Sequence, residues 1–256
     1  MLSGFVAGMM LLGTGNLFVL FAVLVSDALL FPKLLSVVFI FQCTWRCFFV
    51  SDYIFQKTTT SFFLNSVLLA RMLAFVGESC FVFQISWFFL STPHPFPKND
   101  FIMTIFLFVA CNLFNLCAQC CATYATITKQ MKFFVIEGVL WMLIFIAFAM
   151  WSFIICVYWW NSIDELHFFF VASAIGFSLA SIYMQKIYVP TTVRDMIHLS
   201  SEFDYVNSDS FCNNVKVCAF VKVVNHDVKA WKDEIFWQVP YFAIGPLVSS
   251  HFSFMF

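Results

Sequence analysis

The sequence is poor in charged residues, which make up 11% of its 256 positions. In soluble domains about a quarter of all residues are charged. Hydrophobic residues reach 62%, and 38 positions are phenylalanine. One soluble core of this length cannot hide so much apolar surface. The shortage of charge therefore excludes an ordinary soluble domain. The net charge of −1 gives no basic field that would indicate a nucleic-acid partner.

Motifs of the common enzyme classes are also missing. The sequence has no HExxH, GxSxG, GxGxxG or P-loop, and it has no Asn-x-Ser/Thr acceptor for glycosylation. Cys117, Cys120 and Cys121 resemble a metal spacing, but no histidine or fourth cysteine accompanies them at a useful distance. We therefore expect no metal and no other cofactor.

Long apolar runs are what the sequence has instead. A helix needs about 20 apolar residues to cross a hydrocarbon core roughly 30 Å thick. Seven runs approach that length, and backbone groups in lipid must bond within their own segment, so we interpret the runs as helices. The predicted fold is an all-α, polytopic transmembrane helix bundle of about seven spans. The spans are 2–25, 34–54, 62–90, 101–123, 133–158, 167–189 and 235–254.

Two of the runs leave alternatives open. The first resembles a signal peptide in position, although it lacks a basic leader and a clear cleavage site. The last contains Pro240, Pro246, Gln238 and His251, so it either spans as a kinked helix or re-enters the same face. Either exception reduces the count to six. We divide the chain into a six-span bundle at 1–189, a polar loop at 190–234, and a spanning or re-entrant segment at 235–256.

The distribution of basic residues predicts the orientation. Nine Lys and Arg residues lie in or beside the loops after the second, fourth and sixth spans, and loops after the first, third and fifth hold only Lys33 and Lys98. Basic loops face the cytoplasm. We expect the N-terminus and the 190–234 loop to be cytoplasmic and the C-terminus to be on the other side if the last run crosses.

The 190–234 loop is the only sizeable polar segment. Pro190 is typical of a helix start, and 193–203 has a helical composition. Val221, Val224, Val228, Trp231 and Ile235 share one face of a predicted amphipathic helix. That helix either leads into the last span or, at 216–234, binds an anionic lipid or a protein partner.

Ionisable residues at membrane depth are costly, and they are the default functional candidates. They are Arg46 in the second span, Arg71 and Glu78 in the third, and Glu137 in the fifth. Arg71 and Glu78 share a helix face but lie about 10 Å apart along the axis, too far for a routine direct pair. We therefore expect each to have a partner on another helix.

Amides on the fourth span extend this set. Asn112, Asn115 and Gln119 lie on one face of the predicted helix. Together with the four charged residues they form the predicted intramembrane polar cluster, which either lines a path or holds helices together. Small residues at Gly4 and Gly8, and at Ala172, Gly176 and Ala180, predict close helix packing.

Three segments resemble a group of eukaryotic multi-pass membrane proteins of unknown activity. They are Trp45-Arg46 with Asp52-Tyr53, Arg71 with Gly77-Glu78 and Gln84, and residues 230–237 with Tyr241-Phe242. The resemblance implies no activity. It does imply that the second span ends near Arg46 and that 47–61 is partly a cytoplasmic loop.

Three hypotheses of function follow from these patterns. The first is a small transporter or channel-like protein that uses the polar cluster, although no internal repeat supports it. The alternative is a non-transporting receptor or scaffold that acts through the 190–234 loop. The third is a lipid-modifying membrane enzyme, for which no catalytic constellation is present.

Overall fold

A computed structural model describes residues 2–53, 56–92, 98–158, 165–203, 211–221, 223–225 and 231–255. Almost all of them are helical. The helices are α1 (Leu2–Val25), α2 (Leu30–Phe48), α3 (Val67–Ser91), α4 (Lys98–Thr128), α5 (Met131–Tyr158), α6 (Glu165–Tyr183), α7 (Val189–Phe203), α8 (Phe211–Phe220) and α9 (Lys232–Phe254). Three two-residue strands are β1 (Ser51–Asp52), β2 (Lys57–Thr58) and β3 (Val223–Val224).

Six of the described helical segments are long and apolar enough to cross a membrane. They are Gly4–Val25, Leu30–Phe48, Val67–Ser91, Ile102–Thr128, Met131–Val157 and Phe168–Ile197. Large apolar side chains such as Leu11, Phe18 and Phe168 point outward from these segments. Exposed apolar side chains on helices of this length are typical of proteins whose solvent is lipid. The chain is an all-α, multi-pass membrane protein, and six of the seven predicted runs are confirmed as span-length helices.

Local chemistry sets several helix ends. Pro32 lies in the first turn of α2, where its missing N–H costs no helical hydrogen bond. Lys129 ends α4 in the left-handed region at φ 57°, with its N–H on the carbonyl of Ala125 at 2.7 Å. Only Lys129 and Gln130 separate α4 from α5.

A π-helical turn, Met184–Tyr188, joins α6 to α7 without a break. Pro190 follows it inside the continuous helix. Proline lacks an N–H and crowds the carbonyl four residues earlier, and a wider turn relieves that conflict. The predicted sixth span therefore continues through Pro190, and residues 193–203 are helical as expected.

The described chain divides into two compact units. The first comprises Met1–Gln84, Thr123–Lys129 and Asp204–Phe256, and the second comprises Ile85–Ala122 and Gln130–Phe203. In the first unit, α2 lies between α1, α3 and α9. Contacts pair Ser36 with Ser249 and Gln42 with Tyr241, so α9 runs antiparallel to α2.

A small sheet closes one end of the first unit. Strand β1 pairs with β2 in antiparallel fashion, and β2 pairs with β3 in parallel, with Lys57 opposite Val223. The side-chain amide of Gln56 donates to the carbonyl of Thr126 near the end of α4 at 2.6 Å. Three segments that the sequence assigns to the same side of the membrane are therefore joined here.

The second unit has an aromatic core. Phe89 stacks on Trp151 at a centroid distance of 4.8 Å and also contacts Phe148 and Phe170. Phe148 in turn contacts Phe177. The ring of Tyr188 in the π-helical turn lies directly against Gly138 of α5, which has no side chain to obstruct it.

Three local predictions are wrong. Helix α2 ends at Phe48, six residues before the predicted limit of the second span and near the end that the resemblance implies. Val223 and Val224 form a strand because they pair with β2, so the helix predicted from Val221 to Ile235 does not cover them, and Val228 lies outside the described residues. Gly4, Gly8 and Gly176 have no described atom near an added Cβ, so they do not mediate close helix packing here.

Candidate functional site

Three of the predicted residues meet inside the first unit. Arg46 lies in the last turn of α2, and Arg71 and Glu78 lie two turns apart on α3. All three are buried, with 3%, 2% and 7% of their surfaces exposed. The antiparallel packing of α2 against α3 brings Arg46 to the level of Glu78.

Both oxygens of the Glu78 carboxylate contact an arginine. Nη1 of Arg46 donates to Oε1 at 3.2 Å, and Nη2 of Arg71 lies 3.8 Å from Oε2. The hydroxyl of Tyr241 on α9 also donates to Oε1 at 3.4 Å. The predicted partner on another helix is confirmed for Glu78. The expectation that Arg71 cannot pair directly with Glu78 is wrong, because a long arginine side chain spans two turns along the helix.

Aromatic rings enclose the guanidinium of Arg46. Its central carbon lies 4.9 Å from the ring centres of Tyr53 and Phe242 and 5.4 Å from that of Trp237. Tyr53 also lies 5.3 Å from the central carbon of Arg71. Ring faces attract cations, most strongly where water is excluded. The aromatic side chains therefore stabilise the two buried guanidinium groups, which share the single carboxylate of Glu78.

Gly77 allows the two helices to approach. An added Cβ at this position would overlap the side chain of Gln42 on α2. The amide nitrogen of Gln42 points instead to the hydroxyl of Tyr241 at 3.4 Å. Gly77 therefore sets the separation at which Glu78 reaches Arg46, and Gln42 extends the polar contacts to α9.

A second buried polar contact ties the same helices together further along. The amide of Gln84 on α3 donates to the hydroxyl of Ser36 at 2.6 Å, and the hydroxyl of Ser249 donates back to Gln84 at 2.7 Å. These three residues were not predicted as a site. In the sequence they appear only as isolated polar residues within apolar runs. They indicate a contact only once the structure shows that their helices are neighbours.

Asn16 makes the corresponding link to α1. Its amide nitrogen donates to the backbone carbonyl of Phe242 at 3.1 Å. Pro246 has no N–H to take that carbonyl, since it stands four residues later in α9. A polar residue in the otherwise apolar first span thus satisfies a backbone group that proline leaves exposed.

The other predicted residues lie in the second unit. The amide of Asn112 donates to the hydroxyl of Ser86 and to the carbonyl of Phe108, both at 2.8 Å. The amide of Gln119 donates to Asn115 on the same helix at 3.4 Å. Glu137 is buried on α5. Asn115 and Gln119 are also buried, so the predicted polar face of α4 does face the interior.

Among the described residues of the first unit, the buried charged side chains are two of each sign. Arg46 and Arg71 are positive, and Asp52 and Glu78 are negative. Asp52 is in β1, beside Tyr53. A buried charge is tolerated when it is paired and hydrogen-bonded, and removing one member of such a set is costly. Chemically the arrangement is a closed electrostatic link between α2, α3, α9 and the sheet.

The sheet and α8 form a platform at the end of the unit, which we define as residues 49–53, 56–66, 211–221 and 223–225. Asn225 N–H donates to Thr58, and the indole of Trp231 donates to the carbonyl of Asn225 at 2.9 Å. Trp231 is buried and contacts Phe5 of α1. The loop predicted as polar and separate is therefore built onto the helices.

Helix α8 has one inner and one outer face. Asn214 and Cys218 are buried, and Cys212, Asn213 and Lys216 are exposed. Burial raises the pKa of the Cys218 thiol to about 12, although Lys129 acts in the opposite direction. Of the partner surface predicted at 216–234, Lys216 is exposed, and residues 222 and 226–230 lie outside the described residues.

Comparison of the chain with protein-family models, with curated proteins and with solved structures found no match. The geometry of the charge cluster and of the platform is therefore the basis on which a function is proposed.

Proposed function

We propose that this chain is a non-transporting membrane receptor or scaffold that presents its platform to a partner on the cytoplasmic side. The observation that carries the proposal is the closure of the Arg46–Glu78–Arg71 cluster. Both carboxylate oxygens contact guanidinium groups, and aromatic rings cover Arg46. A carboxylate that carries an ion or proton across the bilayer needs a route to water, and these contacts occupy its surroundings.

The direct connection between the platform and the cluster supports this function. Tyr53, which follows β1, lies on both guanidinium groups and donates its hydroxyl to the carbonyl of Ala70 at 3.2 Å. Gln238 of α9 donates to the carbonyl of Ser51 in β1 at 3.3 Å. A partner that moves the strands also moves groups that touch the buried charges. Packed side chains and hydrogen bonds of this kind can carry coupling between a docking surface and buried groups.

The same packing supports a seventh span. Helix α9 has 23 residues, about 34 Å at 1.5 Å per residue. Its contacts run from Gln238 beside Ser51, through Tyr241 beside Gln42, to Ser249 beside Ser36. It therefore accompanies α2 over nearly the whole length of that span. The buried bonds of Ser249, Tyr241 and Gln238 explain why a spanning helix tolerates so many polar residues.

Sidedness follows from the basic residues. Lys57, Lys129 and Lys216 belong to or adjoin the platform. Because basic loops remain in the cytoplasm, these residues support a cytoplasmic platform and N-terminus and a C-terminus on the other side.

Transport is the second candidate, and one observation favours it. Side chains of α2, α3 and α9 meet at one carboxylate, so binding of a cation at Glu78 would weaken its three contacts together. A carrier of this kind would open by releasing α9 and Tyr53 from the cluster.

Reconstitution separates the two functions. The purified full chain, in liposomes loaded with pH-, potassium- and chloride-sensitive dyes, should give no flux above that of protein-free liposomes under imposed gradients. Flux that Glu78→Gln abolishes and Asp195→Asn leaves intact would contradict the scaffold function and support transport. Asp195 is a suitable control because its ion pair with Arg194 at 3.9 Å lies on the surface.

Partner contact is tested in intact cells. A photo-crosslinking amino acid at Lys216, on the exposed face of α8, should give one discrete adduct of the full chain. The same amino acid at Leu11, exposed on α1, should give none. Absence of an adduct at Lys216, at Asn213 and at Cys212 would contradict the proposed function.

A further inference from the structure

Five apolar side chains of the platform point away from the protein. We define them as the apolar rim: Phe62, Phe63, Phe220, Val221 and Val223. Phe220 is 80% exposed and Phe63 is 72% exposed, and the other three are about half exposed. Soluble surfaces scatter such residues singly, whereas grouped exposed apolar residues mark a surface that something covers.

The position of Phe62 and Phe63 indicates what covers the rim. They precede the first residue of α3, Val67, by only a few positions. Phe62 stacks on Phe49, the residue after the last turn of α2, at a centroid distance of 5.8 Å and 10° between ring planes. Both rings therefore lie where two spans leave the hydrocarbon, which is the depth at which membrane proteins concentrate aromatic side chains.

The other rim residues, which belong to α8 and β3 or lie between them, are held at the same depth in the membrane. Val223 is paired with Lys57 in the sheet, so β3 runs beside the strand that leads to Phe62. At the other end of α8, Phe211 stacks on Tyr124 at 6.3 Å. Tyr124 belongs to the final turns of α4 and is itself exposed. Two span ends thus hold α8 beside the membrane.

We infer that the apolar rim lies in the headgroup layer of the bilayer and binds a membrane surface that contains anionic lipids. Its chemistry fits this surface because two basic residues accompany the rim: Lys57 pairs with Val223 in the sheet, and the exposed Lys216 lies about one helical turn before Phe220. The inference requires only the membrane fold, so it holds whether or not the platform also recruits a protein. It assigns Asn213 and Cys212, on the outer face of α8, to the aqueous side.

Nitroxide accessibility in lipid nanodiscs tests the inference on the full chain. The five cysteines that are not buried, Cys80, Cys117, Cys120, Cys121 and Cys212, are replaced by alanine. Single labels are then introduced by Phe63→Cys, Phe220→Cys and Val223→Cys. Asn213→Cys supplies the aqueous reference, and Leu11→Cys on the exposed face of α1 supplies the lipid reference.

The rim labels should collide with a water-soluble nickel chelate several-fold less often than the label at 213, and their oxygen accessibility should approach that at 11. Collision rates at 220 and 223 equal to that at 213 would overturn the inference and indicate an aqueous, protein-binding surface. All labelled residues are exposed, so the labels leave the core intact. Each variant must elute as the unlabelled chain does on size exclusion.

The wild-type chain gives a second readout. A phosphatidylserine with a photoactivatable headgroup should attach to the peptide that contains residues 220–224 and not to that containing 211–214. The same probe on phosphatidylcholine should attach several-fold less. Equal labelling of both peptides, or equal labelling by both lipids, would contradict the stated surface.

Discussion

At the scale of single residues, Glu78 is where α2, α3 and α9 are held to one another. Its two oxygens contact Arg46, Arg71 and Tyr241. Such a group contributes little net stability relative to a well-packed apolar set, but its removal leaves two buried cations with no carboxylate. The free energy of unfolding should therefore respond far more to a single substitution here than to loss of the whole cluster.

Glu78→Gln should lower the free energy of unfolding by about 3–5 kcal/mol, because the amide keeps the shape but removes the negative charge. Unfolding in mixed micelles with increasing dodecyl sulfate measures the change. Asp195→Asn, on the surface, should stay within about 0.5 kcal/mol of wild type. A Glu78→Gln effect no larger than that of Asp195→Asn would contradict the description of the cluster.

Gly77→Ala should destabilise the protein by about 1–3 kcal/mol, since the added methyl group overlaps Gln42 and forces α2 and α3 apart. Gly176→Ala is a matched control because an added Cβ there meets no described atom. It should be neutral or stabilising by up to about 1 kcal/mol. Thermal unfolding in detergent compares them, and equal shifts in the two variants would sink the prediction.

The two cysteines of α8 should differ in reactivity. With a pKa of about 12, Cys218 has only about one thiolate in ten thousand at pH 8, and it is also buried. Cys212 is exposed. Iodoacetamide at pH 8 should alkylate Cys212 and spare Cys218, and the rate at Cys218 should rise tenfold per pH unit up to pH 11. Peptide mass spectrometry reads both sites, and comparable alkylation at pH 8 would refute the burial of Cys218.

The charged residues of the site could be predicted from the sequence, but the polar residues around them could not. Arg46, Arg71 and Glu78 stood out because charge is rare at membrane depth. Ser36, Asn16 and Ser249 did not, because a hydroxyl or an amide within an apolar run acquires a role only from its neighbours in space. The axial distance between Arg71 and Glu78 does not by itself predict their contact, because the arginine side chain is long enough to cover that distance.

At the scale of elements, α9 depends on a polar contact that a proline makes necessary. Pro246 leaves the carbonyl of Phe242 without a helical donor, and Asn16 supplies one. Asn16→Leu should cost about 1–2 kcal/mol of unfolding free energy. In a Pro246→Ala background the same substitution should cost less, since the alanine N–H takes the carbonyl.

A double-mutant cycle in mixed micelles measures this coupling. Thr14→Ala is the control, since Thr14 is exposed and bonds only within α1, to the carbonyl of Met10. Equal costs of Asn16→Leu with and without Pro246 would show that the two residues act independently.

Helix positions were predictable because apolar runs of span length have few other solutions in lipid. Residues 2–25 and 131–158 match within two residues. The short strands were not predictable. Val223 and Val224 fit a helical apolar face equally well, and only their pairing with Lys57 and Thr58 decides the conformation. The continuous helix through Pro190 was missed since proline normally ends a helix, and a π-helical turn is visible only in the structure.

At the scale of the whole molecule, the account rests on α9 as a seventh crossing that parallels α1 and α3 and opposes α2. Side-chain contacts place Ser249 beside Ser36 at one end and Gln238 beside Ser51 at the other. If α9 turned back within the membrane, Ser249 would return to the level of the platform and lose both Ser36 and Gln84. The direction of α9 therefore decides the fold of the first unit and the sidedness of the chain.

The most direct measurement compares two reporters in the full chain, one after Phe256 and one between residues 206 and 208. Each is a short cysteine-bearing tag, treated with a membrane-impermeant maleimide in intact and then in permeabilised cells. The account predicts opposite sides: the internal tag reacts only after permeabilisation, and the C-terminal tag lies across the membrane from it. Finding both tags on the same side would contradict a spanning α9 and the seven-span topology built on it.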